Sequence, residues 1–143
     1  MSILIEEEIR GLLETISTQK RKNYTEKLRE IGIHTGQDQL LCLLAQAEGK
    51  TQRELCQQLN CEASTLTNML KSLENHALIH RLQDEKDART KRVYLTGEGL
   101  DIIEPIQLLW QEEQKKLLEG FTQEELETLH QFLEKMAYNM TKK

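Results

Sequence analysis

Proline occurs once in the 143 residues, at Pro105, and glycine seven times. So few breakers exclude long flexible linkers and proline-rich recognition segments, and no internal repeat or low-complexity run is present. Aromatic residues make up only 4%, so Leu and Ile must supply most of the apolar surface. The three cysteines, Cys42, Cys56 and Cys61, are odd in number and contain no C-x-x-C pair. A disulfide framework is therefore not expected, and reduced thiols suit a cytoplasmic chain. No apolar run is long enough to span a bilayer, and the N-terminus lacks the basic-then-apolar pattern of a signal. A soluble cytoplasmic protein is expected.

What is present is charge, at 30%, against 38% hydrophobic residues. That balance favours long amphipathic helices, with a core completed by a second copy of the chain. The net charge of −5 argues weakly against nucleic acid, but it is unevenly spread. Residues 64–93 hold six basic and four acidic side chains, whereas residues 94–143 hold five basic and ten acidic ones. An acidic body with a basic edge can engage phosphates through that edge, since screening confines the attraction to roughly 8–10 Å.

Apolar spacing and capping signals divide the chain. Ile5, Ile9, Leu12 and Ile16 form a helical stripe within residues 3–30, and Gly32 ends that helix. A second helix carries the run at 40–45. Thr51-Gln52-Arg53-Glu54 is a capping box that opens a short helix with Leu55 and Leu59 inward and Cys56 beside them. Asn60 supplies a sharp reversal. A further helix over 63–75 turns Leu66, Met69, Leu70 and Leu73 inward and Ser64, Thr65, Asn68, Lys71 and Ser72 outward, with Thr67 at the margin. Residues 78–82 and 92–95 read as strands joined by a charged loop. Thr96 caps a long helix over about 97–119 that Pro105 kinks or breaks. Thr122-Gln123-Glu124-Glu125 is a second capping box, and the final helix is expected to bury Leu126, Leu129, Phe132, Leu133, Met136 and Met140.

A short helix, a tight turn, a second helix with a polar outer face and then a hairpin is the order of a winged helix-turn-helix. The fold expected is mainly α with a small β-hairpin wing, in one domain over 1–143. The short donors and acceptors of 64–72 suit base edges and phosphates in a major groove. Ser64, Thr65, Thr67, Asn68 and Lys71 are the candidate contacts there. The hairpin loop can present Arg89 to a minor groove and Lys91 to phosphate, because a weakly hydrated, forked guanidinium suits that narrow negative channel. Asp87 would be repelled by phosphate and reads as a support that orders the loop, by pairing with Arg89 or by accepting local amides.

These residues together resemble the MarR family of bacterial transcription regulators, over most of the chain. The resemblance is carried by Gly32-Ile33-His34-Thr35-Gly36-Gln37, by Thr51 to Leu55 with Leu59, by Ser64-Thr65-Leu66-Thr67, and by Leu73-Glu74 followed by Leu78-Ile79-His80-Arg81. Most specific are Asp87-Ala88-Arg89 and Val93-Tyr94-Leu95-Thr96-Gly97-Glu98-Gly99, which are similar to the family's D-x-R and V-x-L-T-x-x-G wing signature. The resemblance implies a homodimer whose first and last helices intertwine over 1–31 and 97–143. The DNA-binding region would be 32–96, gripping a pseudo-palindromic operator of double-stranded DNA. Ile5, Ile9 and Leu12, with Leu129, Phe132, Leu133 and Met136, are then the dimerisation residues. It also implies a repressor, released by a small-molecule ligand, a metal or an oxidant. The chain departs from the family at Ala77, where Gly is usual, so that turn must avoid a left-handed conformation or bear strain. It departs also at His34, Glu62 and Asn68.

Plainer readings stand beside these. The basic loop taken alone could be a solvated turn, and the three cysteines read as small core or turn residues rather than sensors. The four histidines are scattered and form no metal-ligand cluster with Cys or Glu, so no metal is expected. Trp110 could line a ligand pocket or simply pack in the core. No nucleophile elbow, phosphate loop or acid-base pair points to an enzyme, and no cofactor is expected. The rival to DNA binding is a winged-helix protein-interaction module.

Overall fold

The computed structural model describes residues 2–143. The elements run α1 (Ser2–Glu30), α2 (Gln37–Gln46), β1 (Lys50–Thr51), α3 (Gln52–Leu59), α4 (Ala63–Asn75), β2 (Ile79–Gln83), β3 (Lys91–Leu95), α5 (Gly97–Asp101), α6 (Ile103–Leu117) and α7 (Gln123–Thr141). The chain is mainly helical with a three-stranded antiparallel sheet in the order β1-β3-β2. The chain forms two compact units, one ending at Leu109 and the other running from Trp110 to Lys143.

In the first unit, Leu40, Leu41 and Leu44 of α2, Leu55 of α3, Leu66 and Leu70 of α4 and Val93 of β3 are fully buried together with Leu28 and Ile106. Aliphatic side chains thus build the core almost alone, as the scarcity of aromatics requires. The hairpin is longer at its tip and shorter at its base than the alternation suggested. Ile79 pairs with Leu95, Arg81 with Val93 and Gln83 with Lys91. A third strand escapes any sequence pattern because it is only Lys50 and Thr51, which pair with Val93 and Arg92.

The helix expected over 97–119 is interrupted at Ile102 and resumes as α6. Pro105 explains the break: it has no N–H to give to the carbonyl of Asp101, four residues back, and its ring crowds that position. Before the break, Thr96 caps α5 by accepting from the Gly99 N–H at 3.0 Å. Gly99 is required here, since a Cβ would collide with the Leu78 carbonyl oxygen.

Two helices end in the same Schellman pattern. At the end of α1, the Gly32 N–H donates to the Arg29 carbonyl and the Ile33 N–H to the Leu28 carbonyl, with Gly32 at φ 88°. At the end of α4, the Ala77 N–H donates to the Glu74 carbonyl and the Leu78 N–H to the Leu73 carbonyl, with Ala77 at φ 61°. Ala77 therefore takes the left-handed conformation and bears its strain.

Among the described residues, two apolar stripes are left largely exposed. On α1, Ile5, Ile9, Leu12 and Ile16 are 57%, 47%, 62% and 42% exposed. On α7, Phe132 is 58% exposed and Leu133 44%, with Met140 more open still. Leu126, Leu129 and Met136 are half-buried. The final helix thus does not bury its stripe inside one copy, contrary to the expectation for a core helix, because no described residue of α7 is buried.

Candidate nucleic-acid interface

The two helices of the motif are set by local chemistry. Thr51 caps α3: its hydroxyl accepts from the Glu54 N–H at 3.2 Å, and the Glu54 carboxylate accepts from the Thr51 N–H at 3.4 Å. Asn60 ends α3 at φ 51°, ψ 48°, a region its short amide side chain tolerates. The chain then enters α4 through Glu62, whose side chain makes no capping bond. The first-turn amides of α4 are left for solvent or an incoming acceptor.

Leu66, Leu70 and Leu73 bury one face of α4. The opposite face presents Ser64, Thr65, Asn68 and Lys71 to solvent, and Thr67 is half-buried. The Thr67 hydroxyl donates to the Ala63 carbonyl at 2.8 Å, so it can offer a ligand only its acceptor lone pairs.

The wing loop, residues 84–90, is ordered by one carboxylate. Asp87 Oδ1 accepts from the Arg89 N–H at 3.0 Å, and Oδ2 accepts from the Thr90 hydroxyl at 3.1 Å. Asp87 also lies 3.6 Å from the Arg89 Nε. Even so, the Arg89 side chain is 95% exposed. Asp87 thus spends its oxygens inside the loop while the guanidinium stands outside it, and Lys91 is exposed beside it.

The base of the wing is tied to its neighbours by two arginines. Arg92 donates from Nε to Asp84 at 2.9 Å and from Nη1 to the Gly49 carbonyl at 2.7 Å, joining the hairpin to the loop before α3. The hydrogen bond from Arg92 holds the Asp84 carboxyl below the usual carboxylate range, and Asp84 in turn raises Arg92. Arg81 donates from Nη2 to Glu74 at 2.9 Å, bracing β2 against the end of α4, and this bond lowers Glu74. The His80 and Tyr94 rings stack at 5.5 Å on the same hairpin.

Between the start of α3 and the wing lies an open groove of about 560 Å3, lined by Thr51, Gln52, Arg53, Arg81, Arg89 and Lys91 among others. Arg53 was not singled out from the sequence, where it is the least distinctive member of a capping box. The signal was its position: a cation in the first turn of a helix, where the dipole disfavours one.

The cysteines differ. Cys42 is buried, and burial, followed by nearby Asp38, pushes its thiol up to about 11. Cys56 and Cys61 are half-buried beside the turn. Among the described residues no group of three or more His, Cys, Asp and Glu could hold a metal ion, and no helix is long and apolar enough to cross a membrane.

Comparison with known proteins agrees with this architecture. Residues 35–91 match the model of the MarR family. The chain is 34% identical over 106 residues to the uncharacterized HTH-type transcriptional regulator YwoH of Bacillus subtilis, covering 74% of this chain and 77% of that protein. It superposes on the S. aureus MepR–DNA complex with a TM-score of 0.80 at 28% identity, over 92% of this chain and 96% of the other. A cysteine mutant of E. coli MarR in complex with operator DNA gives a TM-score of 0.76 at 29% identity, over 90% and 92% of the two chains. The capped α3, the left-handed Asn60, the polar-faced α4 and the Asp87-ordered wing therefore place the chain in the MarR family of winged-helix transcriptional regulators.

Proposed function

We propose that the protein binds double-stranded operator DNA sequence-specifically, as a homodimer, and represses transcription until a small ligand or an oxidant releases it. The observation that carries this reading is the wing tip. An arginine side chain that is 95% exposed stands on a loop whose backbone the Asp87 carboxylate orders, next to a helix whose outer face is made of Ser64, Thr65, Asn68 and Lys71. In this reading α4 lies in the major groove and Arg89 enters the minor groove, where a weakly hydrated guanidinium gains most. Lys91 meets phosphate, and Asp87 orders the loop. The MepR and MarR structures, both in complex with DNA, support it.

The homodimer rests on the uncovered stripes. Exposed apolar stripes of this extent on a small protein mark an association surface. Ile5, Ile9 and Leu12 on α1 and Leu129, Phe132, Leu133 and Met136 on α7 are assigned to it, within a dimerisation region formed by 1–31 and 97–143. Residues 32–96 are the DNA-binding region. The second unit supports the assignment by itself: α7 and the end of α6 enclose an apolar groove of about 460 Å3 lined by Leu117, Leu118, Leu126, Leu129 and Leu133.

The test is selection of fragmented genomic DNA on the purified protein beside Arg89→Ala. Wild type is expected to enrich a two-fold-symmetric site. The variant should bind that site more weakly by about 1–3 kcal/mol with folding and dimerisation unchanged. Equal affinity would refute the wing assignment, and no enrichment by wild type would favour a protein-interaction module.

A further inference from the structure

The groove between α3 and the wing shares Arg89 and Lys91 with the contacts assigned above, but two of its four cations have no part in them: Arg53 from α3 and Arg81 from β2. Arg53 sits second in α3, where the helix dipole opposes a cation. Among the described residues no carboxylate lies within ion-pair distance of Arg53 or Lys91. Arg89 and Arg81 are different: Asp87 lies 3.6 Å from the Arg89 Nε, and Glu74 receives the Arg81 Nε at 3.4 Å and its Nη2 at 2.9 Å. The Glu74 pairing fixes the plane of the Arg81 guanidinium and leaves Nη1 uncommitted.

Glu74 and Asp87 offset Arg81 and Arg89 only in part, and Arg53 and Lys91 add charge that an anion seated between them, beside the amide end of a helix, would balance. The groove lacks a carboxylate lining residue, and hydroxyl and amide groups of Thr51 and Gln52 complete its wall. Such a lining suits a singly charged, multi-oxygen anion better than an apolar acid. Two of its cations, Arg89 and Lys91, are also the proposed wing contacts. An anion seated here therefore lies on the side of the molecule that faces DNA.

We infer that this groove seats one backbone phosphodiester of DNA, held by Arg53 and Arg81 at the amide end of α3. The inference rests on the DNA-binding reading and adds to it a contact that positions the duplex without reading its bases. Arg53 is the residue that distinguishes it, since neither α4 nor the wing loop contains it.

The experiment is ethylation interference on the selected operator, with wild type beside Arg53→Ala, Arg53→Gln and Arg53→Lys. Ethylation of particular phosphates should block wild-type binding. For the Ala and Gln variants, interference should vanish at one phosphate in each half-site, and base preference should not change. The slope of log affinity against log salt should fall by about 0.9 per half-site, with operator and random duplex weakened by the same factor, roughly three- to tenfold at low salt. Arg53→Lys should restore most of the slope. An unchanged interference pattern and slope would overturn the inference while leaving the DNA reading intact, and so would a change in base preference. Wild type that binds no duplex at all would remove both. Saturable binding of inorganic phosphate that depends on Arg53, with the DNA slope unchanged, would assign the groove to a free anion and also overturn it.

Discussion

Ala77→Gly should stabilise the protein. Ala77 occupies the position after the α4 cap at φ 61°, in the same hydrogen-bonded turn that Gly32 occupies after α1 at φ 88°. A left-handed conformation costs an L-residue roughly 1–2 kcal/mol through contact of Cβ with the backbone. Glycine avoids that cost but loses more chain entropy on folding, roughly 0.5–1 kcal/mol. The Ala77 side chain is exposed, so removing its methyl loses no packing. Gly should therefore be better by about 0.5–1 kcal/mol, which in a domain of this size raises Tm by roughly 1–4 °C. The converse change, Gly32→Ala, adds a methyl that meets no atom within 4 Å, so its penalty is conformational alone and should be of similar size with opposite sign. Urea titration at one fixed protein concentration measures both, with the slope unchanged and only the midpoint displaced. An unchanged or lower midpoint for Ala77→Gly, with Gly32→Ala neutral, would refute the strain argument.

Further outcomes follow from other contacts. Asp84 and Glu74 have folded pKa values lowered by hydrogen bonds from Arg92 and Arg81. The folded state therefore binds protons less readily than the unfolded chain, and the stability from these pairs is complete above ordinary carboxylate pKa values and lost as pH falls through the lowered ones. Asp84→Asn should accordingly be less stable than wild type at neutral pH, with the gap closing below about pH 4 and shrinking in salt, since the pair is only half-buried. A gap independent of pH in urea titrations would contradict this. Phe132→Glu should convert the proposed dimer to monomer in light scattering, and an unchanged mass would remove α7 from the interface. In a Cys56→Ser, Cys61→Ser variant, Cys42 should react with a disulfide reagent at pH 8 only as fast as the protein opens, because burial suppresses its thiolate. Reaction on mixing would show the thiol to be accessible.

The parts of the fold that were legible in the sequence are those governed by neighbours in the chain. The capping boxes at Thr51 and Thr122 need only a hydroxyl and a carboxylate three residues apart, and both form. Asn60 and the Pro105 break are equally local. The strand at Lys50 and Thr51 was not legible, because it exists only through pairing with Val93 and Arg92, more than forty positions away. Arg92 illustrates the same limit: in the sequence it is one of several cations in a basic loop, but in space it is committed to Asp84 and the Gly49 carbonyl. The candidate α4 face was readable because helical spacing sorts Leu66, Leu70 and Leu73 from Ser64, Thr65, Asn68 and Lys71. The groove at Arg53 was not, since three segments far apart in sequence, 51–53, 81 and 89–91, build it.

These long-range ties bear on how the candidate interface can move. Arg81 with Glu74 braces β2 on the end of α4, the Thr96 hydroxyl donates to the Ala77 carbonyl at 2.6 Å, and Arg92 fastens β3 to the loop before α3. The base of the wing is thus bonded to the end of α4, to the turn after it and to the loop before α3, and it cannot tilt without breaking polar contacts at several points. The tip is held otherwise. Residues 84–90 are ordered by Asp87, by the Asp84 N–H to the Thr90 carbonyl and by the Thr90 N–H to the Asp87 carbonyl, all within the loop. Arg89 can therefore rearrange at small cost while Ser64, Thr65 and Lys71 stay fixed relative to Arg53 and Arg81. Under the DNA-binding reading, α4 and the groove set the register on the duplex as one rigid frame, and Arg89 adapts to the width of the minor groove it meets.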